Sequence, residues 1–256
     1  MFQTHAPSRA DPPPETPTRP LWLAKAQLHE VHAAAGDWAS AMAFSLATIE
    51  ADARRPILLL RVRKDRRAQM RMDPCGEGWA PLGLDPARLL IVDARDDAGL
   101  LRAGLDAARQ SGPAAVVLET WGHLREYDLV ASRRLILAAE QSRIPVVMLR
   151  GDAPPRASAA HTRWMVSSAP STPLETRAPG PPALLVELQR RRGGPAGMQW
   201  RLEWNEDNAC FREEPILPAS IAPAGAEPGA HEAAPLSGAV VSLAAVRAGE
   251  PLRRTA

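Results

Sequence analysis

The sequence predicts an α/β fold in which a mostly parallel sheet is flanked by helices and extended at one edge by antiparallel strands. Before residue 150, short apolar runs alternate with segments whose apolar side chains recur at helical spacing. This pattern is typical of parallel strands joined by right-handed crossover helices. After residue 160, apolar and polar residues alternate one by one, which is typical of half-buried antiparallel strands.

Composition favours one globular domain with tails. The chain has 256 residues, of which 45% are hydrophobic and 23% are charged, and this is enough to bury a core. Its 26 prolines cluster in three stretches, interpreted as loops or tails: 6–20, 154–182 and 215–235. We therefore expect a disordered proline-rich segment at 1–20, a folded domain at 21–214 and a disordered Ala/Pro-rich tail at 215–256.

Charge and cysteine usage point to no special compartment or ligand. The net charge is only +2, so overall charge does not argue for a nucleic-acid or membrane partner. Cys75 and Cys210 lie far apart without metal-ligand spacing, which indicates neither a disulfide framework nor zinc. The amino-terminal residues lack the apolar core of a signal peptide, and no run approaches the ~18 apolar residues of a membrane span. We expect a cytoplasmic protein without membrane association.

The first predicted strand, near residues 27–31, leads through a loop of small residues into a helix. The helix opens at Asp37, which we interpret as its N-cap. Side chains at helical spacing predict one buried face on this helix. They belong to Trp38, Met42, Ser45, Leu46 and Ile49.

Strand, loop and helix in this order form the frame of a phosphate-binding loop, whose pattern is G-x-x-x-x-G-K-[ST]. Aligned without gaps, Ala33 takes the first glycine position and Trp38 the second, with Gly36 between them. Ala39 takes the lysine position and Ser40 the hydroxyl position. Only the hydroxyl is retained, and an indole at the second glycine would fill the space of the phosphate. Because the match is loose, an ordinary strand-to-helix turn is the alternative interpretation.

The remaining elements follow from apolar periodicity. Four apolar runs predict strands covered on both faces: 56–62, 89–92, 114–118 and 145–149. Two segments carry the stripe of amphipathic helices: 97–111 and 128–142. Three alternating segments predict the antiparallel strands: 162–167, 183–190 and 198–204. In the last of these, Trp200 and Trp204 share the apolar side as core residues and Arg201 lies on the polar side. Ordered structure is expected to end near Glu214.

Several motifs, read together, resemble the ImuA family of RecA-like accessory proteins of SOS mutagenesis. The motifs are LHEV…GD, GLDPARLL, E-x-W-G-x-L-R, D-L-x-A-S-R-R-L-x-L-A-A-E, T-R-W and V-E-L…R-x-R-G-G…W-x-L-E-W. The resemblance covers residues 28–204 and departs from the family before the first strand, where a proline-rich lead replaces a glycine-rich segment. It implies a RecA-like fold with a degenerate P-loop and a role in error-prone translesion synthesis. It also implies two partners, an inactive Y-family polymerase relative and an error-prone C-family polymerase, with RecA as a further candidate.

The similarity to RecA implies that the nucleotide chemistry has been lost. Where RecA has a catalytic acid just after the second core strand, this chain has Arg61, Val62 and Arg63. Glu119, at the end of the fourth strand, takes the place of the acid that holds Mg²⁺, but without a P-loop lysine we interpret it as structural. We therefore expect no catalytic residue, no bound metal or cofactor and no ATP hydrolysis.

Two groups of basic residues are candidates for contact with DNA or with an acidic protein surface. The first group follows the second strand, at the strand ends where such sheets bind ligands. It comprises Arg61, Arg63, Lys64, Arg66, Arg67 and Arg71. The second group is Arg190, Arg191 and Arg192, which resemble the basic residues of RecA that reach a neighbour's nucleotide. The alternative is that both groups are solvated loops. Few aromatic residues accompany them, whereas single-strand binding favours interleaved aromatics.

Aromatic and histidine residues near the loop have simpler interpretations. Trp121 follows Glu119 closely at a strand end, and we predict that it fills the vacated nucleotide crevice together with Trp38. His29 and His32 lack the spacing of a zinc protease or of a nucleophile site, and we interpret them as packing residues.

Together these features predict a non-enzymatic adaptor in the DNA-damage response. Two alternatives stay open. One is a RecA-like SOS inhibitor of cell division that caps the tubulin-like division protein. The other is a divergent ATPase that uses Ser40 and Glu119. The RRLxLAAE and basic-hairpin motifs favour the adaptor.

Overall fold

The computed structural model describes residues 21–49, 54–63, 73–176 and 178–216. Nine strands of these residues form one sheet in the order β3-β2-β4-β5-β1-β6-β7-β8-β9. The strands are β1 (Leu28–Ala33), β2 (Ile57–Val62), β3 (Leu89–Ala94), β4 (Ala115–Trp121), β5 (Val146–Gly151), β6 (Thr162–Ala169), β7 (Ala183–Arg191), β8 (Met198–Asn205) and β9 (Cys210–Glu214). The helices are α1 (Trp38–Thr48), α2 (Gly76–Trp79), α3 (Asp97–Ala108) and α4 (Leu129–Ser142). Short 3-10 turns lie at Ala35–Asp37, Ala80–Leu82 and Pro86–Arg88.

The strand directions confirm the predicted fold class. Neighbouring strands from β3 to β6 run parallel, and β7, β8 and β9 continue the sheet as antiparallel strands. The direction predicted for 162–167 is wrong on one side, because β6 pairs in parallel with β1, placing Thr162 opposite His29. Alternation of apolar and polar residues reports which faces of a strand are exposed and not which way the strand runs.

Predictions are also corrected at the two edges of the sheet. The run at 89–92 was expected to be buried, yet Leu90, Ile91 and Val92 of β3 are 49%, 42% and 37% exposed. The cause is position, since β3 is the last strand at its edge of the described sheet. At the other edge, β9 has no counterpart among the predicted strands. Its sequence, CFREE, is mostly polar, and Phe211 packs on the sheet through the ring of Trp204 at 5.0 Å.

The sheet separates two apolar cores. Because successive side chains of a strand point to opposite faces, Val31 of β1 lies in the core with α1 and Leu28 lies in the core with α3 and α4. Phe44 of α1 packs against Trp164 on the first face at a centroid distance of 5.6 Å. Leu135 of α4 is buried on the second face. Among the described residues, none of the helices is long and apolar enough to cross a bilayer.

Aspartates cap the starts of α3 and α4 but not that of α1. Asp96 and Asp128 precede α3 and α4, and each accepts a hydrogen bond from a backbone N–H three residues on, at 2.7 and 2.8 Å. Asp37 precedes α1 but makes no side-chain cap bond, so its predicted capping role is wrong. Its Oδ1 instead accepts from the backbone N–H and the hydroxyl of Ser168, at 2.8 and 2.7 Å. Asp37 therefore ties the start of α1 to β6.

The polar side of β8 is more buried than its sequence pattern predicts. Arg201 is buried, and its guanidinium donates to the Pro170 carbonyl at 2.9 Å and to the Glu203 carboxylate at 3.0 Å. The Thr172 hydroxyl also donates to Glu203, at 2.8 Å. The chain that precedes β7 therefore covers this side of the sheet.

Candidate functional site at the carboxyl ends of the parallel strands

The loop between β1 and α1 already holds a carboxylate. The backbone N–H of Ala35 donates to Oδ1 of Asp152, just after β5, at 2.8 Å. An N–H group that donates to a carboxylate is not free to donate to a phosphate. Gly36 is exposed, and a Cβ added there would meet no atom within 4 Å. Nothing in the packing of this loop therefore requires a glycine, in contrast to a loop whose backbone must approach a phosphate closely.

The structure brings Trp38 and Trp121 together, as the sequence predicts. Their ring centroids are 4.6 Å apart with an interplanar angle of 39°, and the residues are 1% and 2% exposed. At the end of β5, a Cβ on Gly151 would lie 2.6 Å from the ring of Trp121. The absence of a side chain at that position gives the indole its space. Two indoles thus occupy the junction between the ends of β4 and β5 and the start of α1.

Two other residues aligned with nucleotide-binding positions, Ala33 and Glu119, are buried within the fold. Ala33 is buried in the same core as Trp38 and Trp121. Glu119 is also buried, and its Oε1 accepts the indole N–H of Trp121 at 3.0 Å. At the lysine position, Ala39 offers only a methyl group. With Trp38 and Ser40, it lines a groove beside α1.

Arg61 of the first basic group is engaged by acidic partners. It is 9% exposed. It donates to Oδ1 of Asp73 at 2.7 Å and to Oδ1 of Asp93 at 3.1 Å. Burial acts to lower the pKa of Arg61, but the hydrogen bonds with these two carboxylates and the charge of Glu119 outweigh burial and raise the pKa. Arg63 is exposed after the end of β2. The remaining members of the group lie outside the described residues: Lys64, Arg66, Arg67 and Arg71.

The second basic group lies at the opposite end of the sheet from Arg61 and Arg63, the described members of the first group. Arg190 and Arg191 pair with the start of β6, where Arg191 stands opposite Thr162, whereas Arg61 is near the carboxyl end of β2. Arg190 donates to the Ser158 carbonyl at 2.7 Å, and Arg191 and Arg192 are exposed. The described members of the first group, Arg61 and Arg63, therefore lie apart from the second group.

A buried charged cluster on the other face of β1 was not predicted. Glu30 is 0% exposed. The Tyr127 hydroxyl donates to its Oε1 at 2.8 Å, and Nε of Arg163 donates to its Oε2 at 2.7 Å. Burial would raise the pKa of Glu30, but the polar surroundings of its carboxylate, which include His32, Ser158 and Arg163, and the Arg163 charge lower it to about 2. A carboxylate inside the buried run LHEVHA is the sequence signal for such a cluster, since a buried charge needs partners.

Arg150 of β5 lies beside this cluster and is 1% exposed. Its guanidinium carbon is 5.4 Å from the centroid of the Tyr127 ring, within range of a cation–π contact. Its three guanidinium nitrogens make no hydrogen bond within the described part of the chain. Burial lowers the pKa of Arg150, and the charge of Glu30 opposes that effect.

The two histidines of β1 are packing residues, as interpreted from the sequence. His29 bonds through Nδ1 to the Thr162 hydroxyl at 2.7 Å and through Nε2 to the Ala24 carbonyl at 3.0 Å. His32 bonds through Nδ1 to the Ala153 carbonyl at 3.1 Å. Both side chains are buried and join β1 to its neighbours.

Comparison with known proteins supports the relationship that the motifs indicate. No protein-family model matches the chain. Protein ImuA from two strains of Caulobacter vibrioides is 39% identical over 147 residues, which cover 53% of this chain and 58% of that protein. The chain thus spans somewhat more than half the length of the curated relatives it matches. The crystal structure of the RadB recombinase is similar with a TM-score of 0.47 and 14% sequence identity, covering 72% of this chain and 89% of that chain. The resemblance to the ImuA family is therefore confirmed over about half of the chain.

Proposed function

We propose that this protein is a non-catalytic accessory protein of SOS-induced, error-prone DNA repair. It acts in translesion synthesis through contacts with an inactive Y-family polymerase relative and an error-prone C-family polymerase, with RecA as a further candidate partner. Similarity to proteins named ImuA supports the pathway. The structure bears on a narrower point, which is whether the strand ends can hold a nucleotide.

The observation that carries the non-catalytic assignment is the Trp38–Trp121 pair. The two buried indoles lie at the end of the loop where phosphate would have to bind. Ala39 supplies no cation, and the N–H of Ala35 is taken by Asp152. Phosphoryl transfer depends on a lysine and a metal ion that neutralise the phosphates, and this loop provides no such lysine.

Nucleotide binding tests this assignment. Titration of the full chain with a fluorescent ATP analogue and Mg²⁺ should show no saturable binding below about 1 mM, equivalent to ~4 kcal/mol of affinity. A working P-loop ATPase in the same assay is the positive control. Saturation at micromolar concentration would contradict the assignment and favour a divergent ATPase that uses Ser40 and Glu119.

The partners are tested by affinity purification of the tagged chain from its host after DNA damage. Recovery of an inactive Y-family polymerase relative, identified by mass spectrometry, is the expected result. Undamaged cells are the control, because an SOS accessory should recover more of this partner after damage. Recovery of a tubulin-like division protein in its place would make the chain an inhibitor of cell division.

Direct contact with single-stranded DNA is a separate part of the proposal, centred on the first basic group. Binding should weaken steeply with salt, since each phosphate contact releases counterions. Substituting Arg63, Arg66 and Arg67 by alanine should abolish it. Alanine at Arg191 and Arg192 is the matched control, because these exposed side chains lie at the other end of the sheet. Binding that survives the first set of substitutions would remove DNA from the list of partners.

A further inference from the structure

A groove of about 790 Å³ runs beside α1, on the same side of the sheet as Trp38. Three parts of the chain line it: one side of α1, the segment around α2, and the strands β6 to β9 with the loop between β6 and β7. Met42 and Ala43 of α1 line it as half-buried residues. Its volume is within the range of ligand pockets, about 300 to 1,000 Å³.

The inner wall of the groove is aromatic and held in place. Trp38, Trp79 and Trp204 line it while remaining buried. Trp38 packs on Trp121 at 4.6 Å, and the Trp204 indole donates to the Pro81 carbonyl at 2.9 Å. Side chains that are already ordered lose little conformational entropy when a ligand covers them. The groove is therefore a preformed apolar surface.

The charges of the groove favour one kind of occupant. In the described lining, the charged residues are Asp73 and Glu206, and both are acidic. Asp73 pairs with Arg61, yet 72% of its side chain stays exposed. Glu206 is exposed in the turn between β8 and β9. Acidic side chains repel phosphate groups and attract lysine and arginine, so they disfavour nucleic acid and favour a basic partner.

We propose that this groove binds an apolar helix of a protein partner with lysine or arginine beside the helix's apolar face. An amphipathic helix laid in an apolar groove is a common recognition mode, and preformed aromatic walls suit it. This inference rests on the proposed function, since it assumes that the chain acts through protein contacts. It assigns one such contact to the α1 groove and not to either arginine group.

A pair of synthetic peptides tests the chemistry of the occupant. Both are helices of about 16 residues, roughly 24 Å long, with the same leucine and alanine face, and they differ only in lysine or glutamate flanks. Fluorescence anisotropy with the full chain should show that the lysine peptide binds about tenfold or more tightly than the glutamate peptide. Equal binding of the two peptides, or no binding of the lysine peptide, would overturn the proposal.

A cysteine in the groove reports where the peptide binds. Cys75 is exposed and lines the groove, whereas Cys210 does not line it and can be replaced by serine. The lysine peptide should slow alkylation of Cys75 by iodoacetamide in the Cys210→Ser background. If alkylation keeps its rate while the peptide is bound, the binding site lies elsewhere.

Substitutions in the groove, with a matched control, distinguish peptide binding that is blocked from binding that is lost because the protein misfolds. Ala43→Arg puts a bulky cation into the groove and should reduce binding of the lysine peptide about tenfold or more. Ala47→Arg is the matched control, since Ala47 is half-buried one turn further along α1 and does not line the groove. Glu206→Lys, at an exposed turn, should reverse the preference between the two peptides. Unchanged binding by both Ala43→Arg and Glu206→Lys would overturn the proposal.

Two further experiments distinguish the groove assignment from its alternatives. Sedimentation tests whether the groove binds a second copy of this chain, and recovery of the partner from cells tests the groove assignment separately from the proposed function. If sedimentation shows an oligomer that Ala43→Arg converts to a monomer, the occupant is a second copy of this chain and the proposal is wrong. If the tagged Ala43→Arg variant co-purifies with as much polymerase relative from damaged cells as the native chain does, the groove assignment fails and the proposed function stands. If the peptides behave as expected but the native chain recovers no polymerase relative, the proposed function fails and the groove assignment stands.

Discussion

The two faces of the sheet bury different kinds of side chain at the ends of the same strands. On the face with α1, the space beside β4 and β5 is filled by Trp38 and Trp121. On the face with α4, neighbouring positions of β1 and β5 carry Glu30 and Arg150, both buried. Alternation along a strand puts these different environments only one residue apart. The contrast separates a mainly apolar face, where Glu119 bonds to the Trp121 indole, from a charged face, where Glu30 pairs with Arg163.

The largest effect is expected from breaking the apolar face at Trp38. Trp38→Gly removes a fully buried indole and should lower the free energy of unfolding by about 4 kcal/mol. Urea denaturation followed by circular dichroism measures the loss. Trp22→Gly is the matched control, because Trp22 is 46% exposed and its loss should stay below about 1 kcal/mol. A cost near zero at Trp38 would place its ring in solvent.

The next effect is expected from breaking the charged face at Glu30. Glu30→Gln removes the charge that Arg163 and Tyr127 bind and should cost about 3 kcal/mol at pH 7, since it leaves a buried cation without its partner. Denaturation by urea is again the measurement. Glu77→Gln, at an exposed site, is the control and should change stability by less than about 0.5 kcal/mol. A neutral Glu30→Gln would show that this face does not depend on charge.

The pH dependence of stability also tests the contribution of the Glu30 charge. The pKa of Glu30 is lowered from 4.5 to about 2, because the polar side chains of His32 and Ser158 and the hydrogen bond and charge of Arg163 more than offset burial. The folded chain therefore binds this proton less readily than the unfolded chain. The stability that the charge contributes is present above pH 4.5 and is lost as pH falls towards 2. The gap between the native protein and Glu30→Gln should shrink over that interval, and a constant gap would contradict the lowered pKa.

Much of the fold was predictable, because apolar periodicity is a local property of the sequence. It located the six parallel strands and the main helices to within a few residues. It did not report the parallel direction of β6, which depends on the neighbour that the strand meets. It also overestimated the burial of Leu90 and its neighbours, since an apolar run has the same pattern at the edge of a sheet as at its centre.

The candidate site was predictable on one face only. Trp38 and Trp121 stand at recognisable positions, one in a loop frame and the other at a strand end, so their meeting follows from the topology. The partners of Glu30 come from the loop before α4 and from β6, 97 and 133 positions along the chain. A single carboxylate in a buried run indicates that partners exist, but it does not identify residues so distant in sequence.

The protonation of His29 tests how burial on the apolar face changes the pKa of an ionisable group. Burial lowers the pKa of His29 from 6.5 to about 4, with a smaller opposing effect of the Ala24 carbonyl. Between these values the unfolded chain binds a proton that the folded chain does not. Stability should therefore fall as pH drops from 6.5 towards 4, by up to about 3 kcal/mol from this residue. His29→Gln should flatten that part of the stability profile, and an unchanged profile would contradict the lowered pKa.

The smallest expected effect is the coupling between the two indoles. A double-mutant cycle with Trp38→Leu and Trp121→Leu isolates their direct interaction from the cost of losing each ring. Tilted aromatic pairs contribute about 1 kcal/mol beyond the area they bury, and urea denaturation of the four proteins can resolve that amount. A parallel cycle with Glu30→Gln and Tyr127→Phe measures one contact of the charged face. A larger coupling there than between the indoles would show that the apolar face is stabilised by burial and the charged face by specific pairing. Equal coupling energies would mean that the two faces differ in composition but that specific pairing contributes equally to the stability of both.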